Sequence, residues 1–358
     1  MHRRQALTGV AVAGVAAAAS TFPKPALGQG RRQLRMATTW PKNLPGQGTS
    51  AERMAQNINK WSEGKLTMRV YGAGELVPAF EAYDAASSGV ADMYHGADYY
   101  WQGKSKALNF FSTVPYGLTG PETNAWLLSG GQELWDEVAA QFNLKSFAAS
   151  NTGVQMAGWF NKEINSVEDF NGLTMRMPGL GGEVISRLGA TAVTLPAGEI
   201  YQALQSGTID ATEFVGPWND LTLGFHQVAR YYYWPGIHEP ATVASCGINL
   251  DLWNDMSDWE KSIIEAAARY ENDMLTTEFD VNNIRALDQL INQHGVQLKR
   301  LPDDVLAAMR EASADVVATA GNADPLTKKV YDHWSAFKQQ AEAWTGLGMQ
   351  GFLNARSG

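Results

Sequence analysis

One ten-residue pattern of this chain occurs twice. Tyr83-Asp-Ala-Ala-Ser-Ser-Gly-Val-Ala-Asp92 matches Tyr201-Gln-Ala-Leu-Gln-Ser-Gly-Thr-Ile-Asp210, with Tyr, Ala, Ser, Gly and Asp at the same five offsets, 118 residues apart. Each copy reads as a helix that ends in Ser-Gly and turns directly into a strand, the glycine supplying the left-handed position past the helix. Two copies of one helix-to-strand junction imply two lobes of similar construction. Strand and helix patterns alternate around them. A strand at 34–38 precedes a helix with Ala51, Met54, Ile58 and Trp61 on one face, and Leu66, Met68 and Val70 then alternate as a strand. A helix at 80–88 leads to a strand at 90–94, and a further helix spans 121–142. This order predicts an α/β fold, a mostly parallel sheet covered by helices.

The N-terminus is set apart from that pattern. Paired Arg3-Arg4, the run ALTGVAVAGVAAAAS and the small residues Ala26-Leu27-Gly28 read as a cleaved secretory signal of the twin-arginine type over residues 1–28. The full chain carries a formal charge of −9; removing Arg3, Arg4 and Lys24 leaves 25 basic against 37 acidic residues, a net −12. An acidic exported protein is poorly suited to nucleic acid or anionic membranes. With Cys246 as its lone cysteine, the chain forms no internal disulfide and depends on its core, where Cys246 itself is expected.

Residues 151–216 hold the chemistry. Gln155 sits in an apolar, extended-looking run, Arg176 in the short strand Leu173–Met177 stopped by Pro178-Gly179, and Glu213 in a strand from Ile209 to Val215. One polar or charged group on each of three strands is costly to bury without a partner. A guanidinium and a carboxylate near strand ends suit a small charged ligand. The alternative is that these groups lie on solvated edges or pair with one another. Two crossings between lobes are expected, one leading into Asn151 and one after the aromatic run Tyr231–Trp234. The capping box Ser257-Asp-Trp-Glu260 opens a stretch free of Pro and Gly as far as His294, long enough to brace both lobes. A short strand at Val296 and Leu298 and two helices, 302–320 and 324–345, complete the chain.

Other motifs carry less. Gly179-Leu-Gly-Gly182 follows a strand and opens a helix, but Val184 takes the third position of a dinucleotide fingerprint, leaving a tight junction whose helix start could favour an anion beside Arg176. His238-Glu239 lacks a second histidine at helical spacing and is broken by Pro240, which argues against zinc. Glu239 with Gln155 and Glu213 would instead suit a hard cation such as Na⁺ or Ca²⁺. No nucleophile elbow, Cys–His pair or Walker loop occurs. Tyr99-Tyr100-Trp101 and Tyr231–Trp234 read either as packing or as a cleft wall.

The segments NTGVQMAGWF, LTMRMPG, GEIYQALQSGTIDATEFVGP, LGFHQVARYYYWPG and HEP, with the earlier GELVPAFEA and ADYYW, resemble the solute-binding proteins of tripartite ATP-independent periplasmic (TRAP) transporters. The resemblance runs over essentially the whole mature chain. It is strongest to the branch that binds 2-oxo and 2-hydroxy monocarboxylates with a metal ion. It implies a two-lobe periplasmic binding fold (type II-like) with crossing hinge strands and a long bracing helix. The lobes would comprise 29–153 with about 239–280, and 154–238 with about 281–320, followed by a C-terminal helical segment, 321–358.

The resemblance also implies roles. Arg176 would hold the solute carboxylate. Gln155, Glu213, the backbone carbonyl of Phe214 and Glu239 would hold Na⁺ or Ca²⁺, and Asn151 with Tyr99 or Tyr100 would contact the carboxylate or the 2-oxygen. Relatives often carry Trp where this chain has Phe214, which changes pocket volume and leaves room for an acid larger than pyruvate or lactate. The implied partners are a small organic acid and the membrane permease, the implied location the periplasm. A monomer and a homodimer are equally compatible. Turnover is not expected. A receptor for a dicarboxylate or aromatic acid without metal, a sensory module, and an enzyme using Glu213 or Glu239 as base remain alternatives.

Overall fold

The computed structural model describes residues 31–357; the signal expected over residues 1–28 lies outside them. Eleven strands among the described residues form two sheets. They are β1 (Arg32–Thr38), β2 (Leu66–Tyr71), β3 (Met93–Gly96), β4 (Leu144–Asn151), β5 (Gly158–Phe160), β6 (Thr174–Arg176), β7 (Thr191–Val193), β8 (Ala211–Thr212), β9 (Tyr231–Trp234), β10 (Val243–Asn249) and β11 (Gln297–Arg300). The first sheet has the order β2-β1-β3-β10-β4 and the second β11-β9-β5-β8-β6-β7. Strands joined by helices pair in parallel, β1 with β2 and β3, and β6 with β7 and β8. The strands reached by crossing pair antiparallel. The chain passes from β4 to β5 through residues 152–157 and returns from β9 to β10 through 235–242. Strand β10 is buried along its whole length, Cys246 included, as befits a strand flanked by two others and covered by helices.

The repeat builds the same junction in both lobes. The helices Ala82–Ser88 and Ala197–Ser206 end on Gly89 and Gly207 in the left-handed region, φ 80 and 73. The backbone N–H of Asp92 then donates to Arg35 O at 2.9 Å, and the Asp92 carboxylate accepts from Arg35 N–H at 2.7 Å. Asp210 does the same with Thr174, at 2.7 and 2.8 Å. A carboxylate and an amide on one residue thus bridge the start of each parallel pair, β1–β3 and β6–β8.

The helix Asp258–Asn292 joins the lobes, opened by the Ser257–Glu260 capping box. On the first lobe Glu271 is fully buried and accepts from Ser50 Oγ at 2.8 Å and Arg53 Nε at 3.0 Å. On the second, Asn283 accepts from Trp218 N–H at 3.0 Å, and the Trp218 and Phe279 rings lie 5.3 Å apart. The helix Pro325–Thr345 packs back on the first lobe, with Trp334 5.5 Å from Phe110 and Trp126 Nε1 donating to His333 at 3.0 Å.

Element boundaries differ from expectation in several places, among them the strand expected from Ile209 to Val215, which is only Ala211–Thr212 and leaves Glu213 just past its end. The helix over 121–142 is two, Gly120–Trp126 and Gln132–Ala140, because Gly130 takes φ 108 between them. Strand β3 starts at Met93 rather than residue 90, since Val90 is an exposed turn residue that does not reach the ladder. The run around Gln155 is not one strand: β5 begins at Gly158, and Gln155 lies in the crossing.

Candidate functional site

Charged groups stand where strands of the second lobe stop. Arg176 is the last residue of β6; Pro178 lacks the N–H to continue the ladder, and Gly179, at φ 63, turns into the helix Gly179–Arg187. Glu213 follows β8 directly. Gln155 lies on the outgoing crossing, His238 and Glu239 on the returning one, and the two crossings bond to each other. Gln155 N–H donates to Glu239 O at 3.3 Å, Gly236 N–H to Gln155 O at 3.2 Å, and Thr152 N–H to Thr242 O at 3.1 Å. The hinge therefore fixes part of the site.

Arg176 and Glu213 are both fully buried, at 0% exposure. Arg176 Nη1 donates to the Glu213 carboxylate and, at 2.9 Å, to the Glu213 carbonyl; Nε donates to Leu195 O at 3.2 Å. Nη2 faces the Tyr100 hydroxyl at 3.4 Å, and the guanidinium sits 5.5 Å from the centre of the Phe214 ring. His238 Nε2 lies 3.2 Å from the second Glu213 oxygen. The Thr242 hydroxyl donates to Glu239 and accepts from Gln155 Nε2 at 3.0 Å, while Thr152 Oγ1 accepts from the same amide at 3.1 Å. Burial opposes the Arg176 charge most strongly of any single cause, but Glu213 with Tyr100, Tyr99 and Glu239 together outweigh it and hold the guanidinium above its ordinary value. Burial first, and then Glu213, push Glu239 above the usual carboxylate range. Burial pulls His238 down, yet its bond to Glu213 together with the charges of Glu213 and Glu239 raises it overall.

Two polar atoms in this region are buried without a hydrogen-bond partner: Gln155 Oε1, an acceptor, and Asn151 Nδ2, a donor. An orphan of this kind costs about 1–3 kcal/mol unless something binds it. Glu213, His238 and Glu239 present ligand atoms within 4.8 Å of one another. With His238 the one nitrogen donor of the cluster, two carboxylates with the unpaired Gln155 amide oxygen on the adjoining crossing, and no thiol, fit a hard cation. Its charge would balance two buried acids served by one arginine.

The first lobe closes the other side. Tyr99 is buried and packs edge-on to Tyr100, ring centres 4.8 Å apart. Gly179 of the second lobe comes so near that a Cβ there would lie 3.2 Å from Tyr99 Cγ. Lys106 Nζ reaches Glu183 across the cleft at 2.6 Å, and Asn219 Nδ2 donates to Pro45 O at 2.7 Å. Arg176, Glu213, Phe214, Tyr100 and, through the hinge, Glu239 and Gln155 are thus brought together. Asn151 ends β4 with its amide against Gly120 and makes no hydrogen bond to the Arg176–Glu213 pair. His238 is the residue that sequence reasoning set aside: judged as a zinc ligand, it is a partner of Glu213. Thr152 and Thr242 were also missed, since a threonine in a crossing has no sequence signal beyond its nearness to Gln155 and Glu239.

The family model for bacterial extracellular solute-binding proteins, family 7, matches residues 36–323. The chain belongs to this family. It is 38% identical over 304 residues to a monocarboxylate 2-oxoacid-binding periplasmic protein of Nostoc sp., covering 85% of this chain and 83% of the relative. A TRAP-transporter solute-binding protein from Bordetella bronchiseptica, described as a mixed-occupancy dimer with copurified calcium and picolinate, superposes with TM-score 0.89 at 34% identity, covering 91% of this chain and 97% of that one. One from Pseudoalteromonas atlantica with bound sodium and pyruvate gives 0.87 at 37%, covering 90% and 99%. The two-lobe α/β fold is that of TRAP solute-binding proteins, which serve transport as receptors rather than as enzymes.

Proposed function

We propose that this TRAP receptor binds a small 2-oxo or 2-hydroxy monocarboxylate together with Na⁺ or Ca²⁺ and delivers it to the membrane permease. The observation that carries this reading is one buried arginine facing two buried acids, with Gln155 Oε1 and Asn151 Nδ2 left unpaired. The two lobes expected from sequence, 29–153 with about 239–280 and 154–238 with about 281–320, close over the solute. Arg176 takes the carboxylate as a bidentate pair. Gln155, Glu213, the Phe214 carbonyl and Glu239 hold the cation, which when bound supplies positive charge for the carboxylate and the 2-oxygen. Asn151 Nδ2 and the Tyr99 or Tyr100 hydroxyl donate to the solute, and Phe214 lines its side-chain pocket. The Nostoc, Bordetella and Pseudoalteromonas proteins, with their named 2-oxoacid, picolinate and pyruvate ligands, support the ligand class.

The pairing of Arg176 with Glu213 adds a consequence. Arg176 can offer its fork to a solute only as Glu213 releases it, and Glu213 engaged with a cation is a weaker partner for Arg176. Solute and cation are therefore expected to bind with positive cooperativity, each raising the affinity for the other by the same factor. Export by the twin-arginine or Sec route belongs to the same proposal, with a monomer and a homodimer equally compatible.

A thermal-shift screen of chelator-stripped protein tests it, using 2-oxo, 2-hydroxy, dicarboxylic and aromatic acids with and without Na⁺ or Ca²⁺. A ligand of the folded state raises the midpoint by mass action. A cation-dependent shift for 2-oxo or 2-hydroxy acids is expected. A shift for dicarboxylates alone, indifferent to cation, would replace this ligand class.

A further inference from the structure

We propose that His226 and His294 form a second metal site on the second lobe, built from none of the carboxylate-site residues, for a transition-metal ion of the Zn²⁺ or Cu²⁺ type. His226 lies in the single turn Phe225–Gln227, and His294 stands just past the end of the helix Asp258–Asn292. Their ring centres are 4.2 Å apart and the planes are tilted by 44°. Both backbones are anchored, since Phe225 beside His226 and Leu290 in the last helical turn are fully buried. His294 is exposed and can turn its ring, so that one nitrogen of each imidazole addresses a common ion.

Three further features favour a cation here. His226 Nδ1 is buried and has no hydrogen-bond partner, an orphan that a metal bond would satisfy. Burial and the neighbouring His294 lower the His226 pKa, which keeps the imidazole in its neutral, metal-binding form. The negative end of the 35-residue helix points to the same place. Imidazole nitrogens favour Zn²⁺ and Cu²⁺ over the hard ions suited to the oxygen-rich carboxylate site. With two protein ligands, water completes the coordination. Such an ion would tie the 225–227 turn to the helix that braces both lobes.

Zn²⁺ titrated calorimetrically into chelator-stripped protein tests the site, comparing the wild type with His226→Ala, His294→Gln and the double variant. The wild type is expected to bind one more equivalent than the double variant, and each single change to weaken that equivalent at least about tenfold. Cu²⁺ electron paramagnetic resonance should show coupling to two imidazole nitrogens that the double variant loses. Pyruvate affinity should be the same in all four proteins, since neither histidine belongs to the carboxylate site. Equal Zn²⁺ stoichiometry in wild type and double variant, or a two-nitrogen Cu²⁺ signal that persists without these histidines, would overturn the proposal.

Discussion

The two lobes share a register and diverge at its ends. Met36 and Ala37 pair with Met93 and Tyr94 in the first sheet, as Met175 and Arg176 pair with Ala211 and Thr212 in the second. Counting from the Asp92 and Asp210 bridges, Ala37 corresponds to Arg176 and His95 to Glu213. The first lobe places a methyl group and a buried neutral imidazole at the positions where the second places a buried ion pair. His95 Nδ1 accepts from Trp40 Nε1 at 2.8 Å while its Nε2 is buried without a partner, and burial lowers its pKa to about 4. The shared junction thus supplies architecture, and the two lobes differ in the residue at each strand end. The same contrast holds for acids. Asp98 in the first lobe is buried too, but Tyr94, Ser245 and Trp135 donate to both of its oxygens within that lobe. Glu213 and Glu239 lean on charge and on the hinge, and leave neighbouring amides unpaired.

The largest expected effect follows from removing the charge that distinguishes the second lobe. Arg176→Ala should weaken pyruvate binding by about 2–5 kcal/mol, because it strands a buried carboxylate as well as losing the contact. Calorimetry on a folded variant checks this, and unchanged affinity would remove Arg176 from the site. Glu239→Gln keeps the shape but drops one charge. It should weaken Ca²⁺ at least about tenfold and carry pyruvate affinity down with it, read by the thermal shift with each ligand.

The counterpart in the first lobe should respond to acid instead. The folded pKa of His95 lies near 4, below its unfolded value, so as pH falls from about 6.5 the unfolded chain takes up a proton that the folded chain refuses. Its contribution is present above that pH and is lost down to about pH 4, by at most about 3 kcal/mol. Urea unfolding of the wild type against His95→Gln should show this difference in slope over that window. The smallest effect tests the repeat itself. Asp92→Ala and Asp210→Ala should each cost about 1–2 kcal/mol of stability, and similarly, since both carboxylates accept the same backbone bond. A large disparity would mean that the two junctions are not equivalent.

Much of this was legible in the sequence. The duplicated Tyr–Ser-Gly–Asp unit announced two lobes because helix end, left-handed glycine and bridging aspartate are local devices, written in consecutive residues. Arg176 and Glu213 stood out as charges in short apolar strands for the same reason. The break at Gly130 was not legible, since a glycine inside a helical pattern is often tolerated. The role of His238 was hidden more deeply. It depends on the returning crossing lying beside β8, and that contact is set by the hinge rather than by any neighbouring residue.

In the proposed mode of binding a cation and Arg176 share the solute, and Glu213 links them. Pyruvate would be titrated calorimetrically into chelator-stripped protein and again at saturating Ca²⁺ or Na⁺, with the reciprocal titration of Ca²⁺ at saturating pyruvate. The expected result is tight pyruvate binding with the cation, little or none without it, and the same coupling factor in both directions. Equal pyruvate affinity with and without cation would contradict the account, leaving Arg176 as a lone anchor and Glu213 as its structural partner.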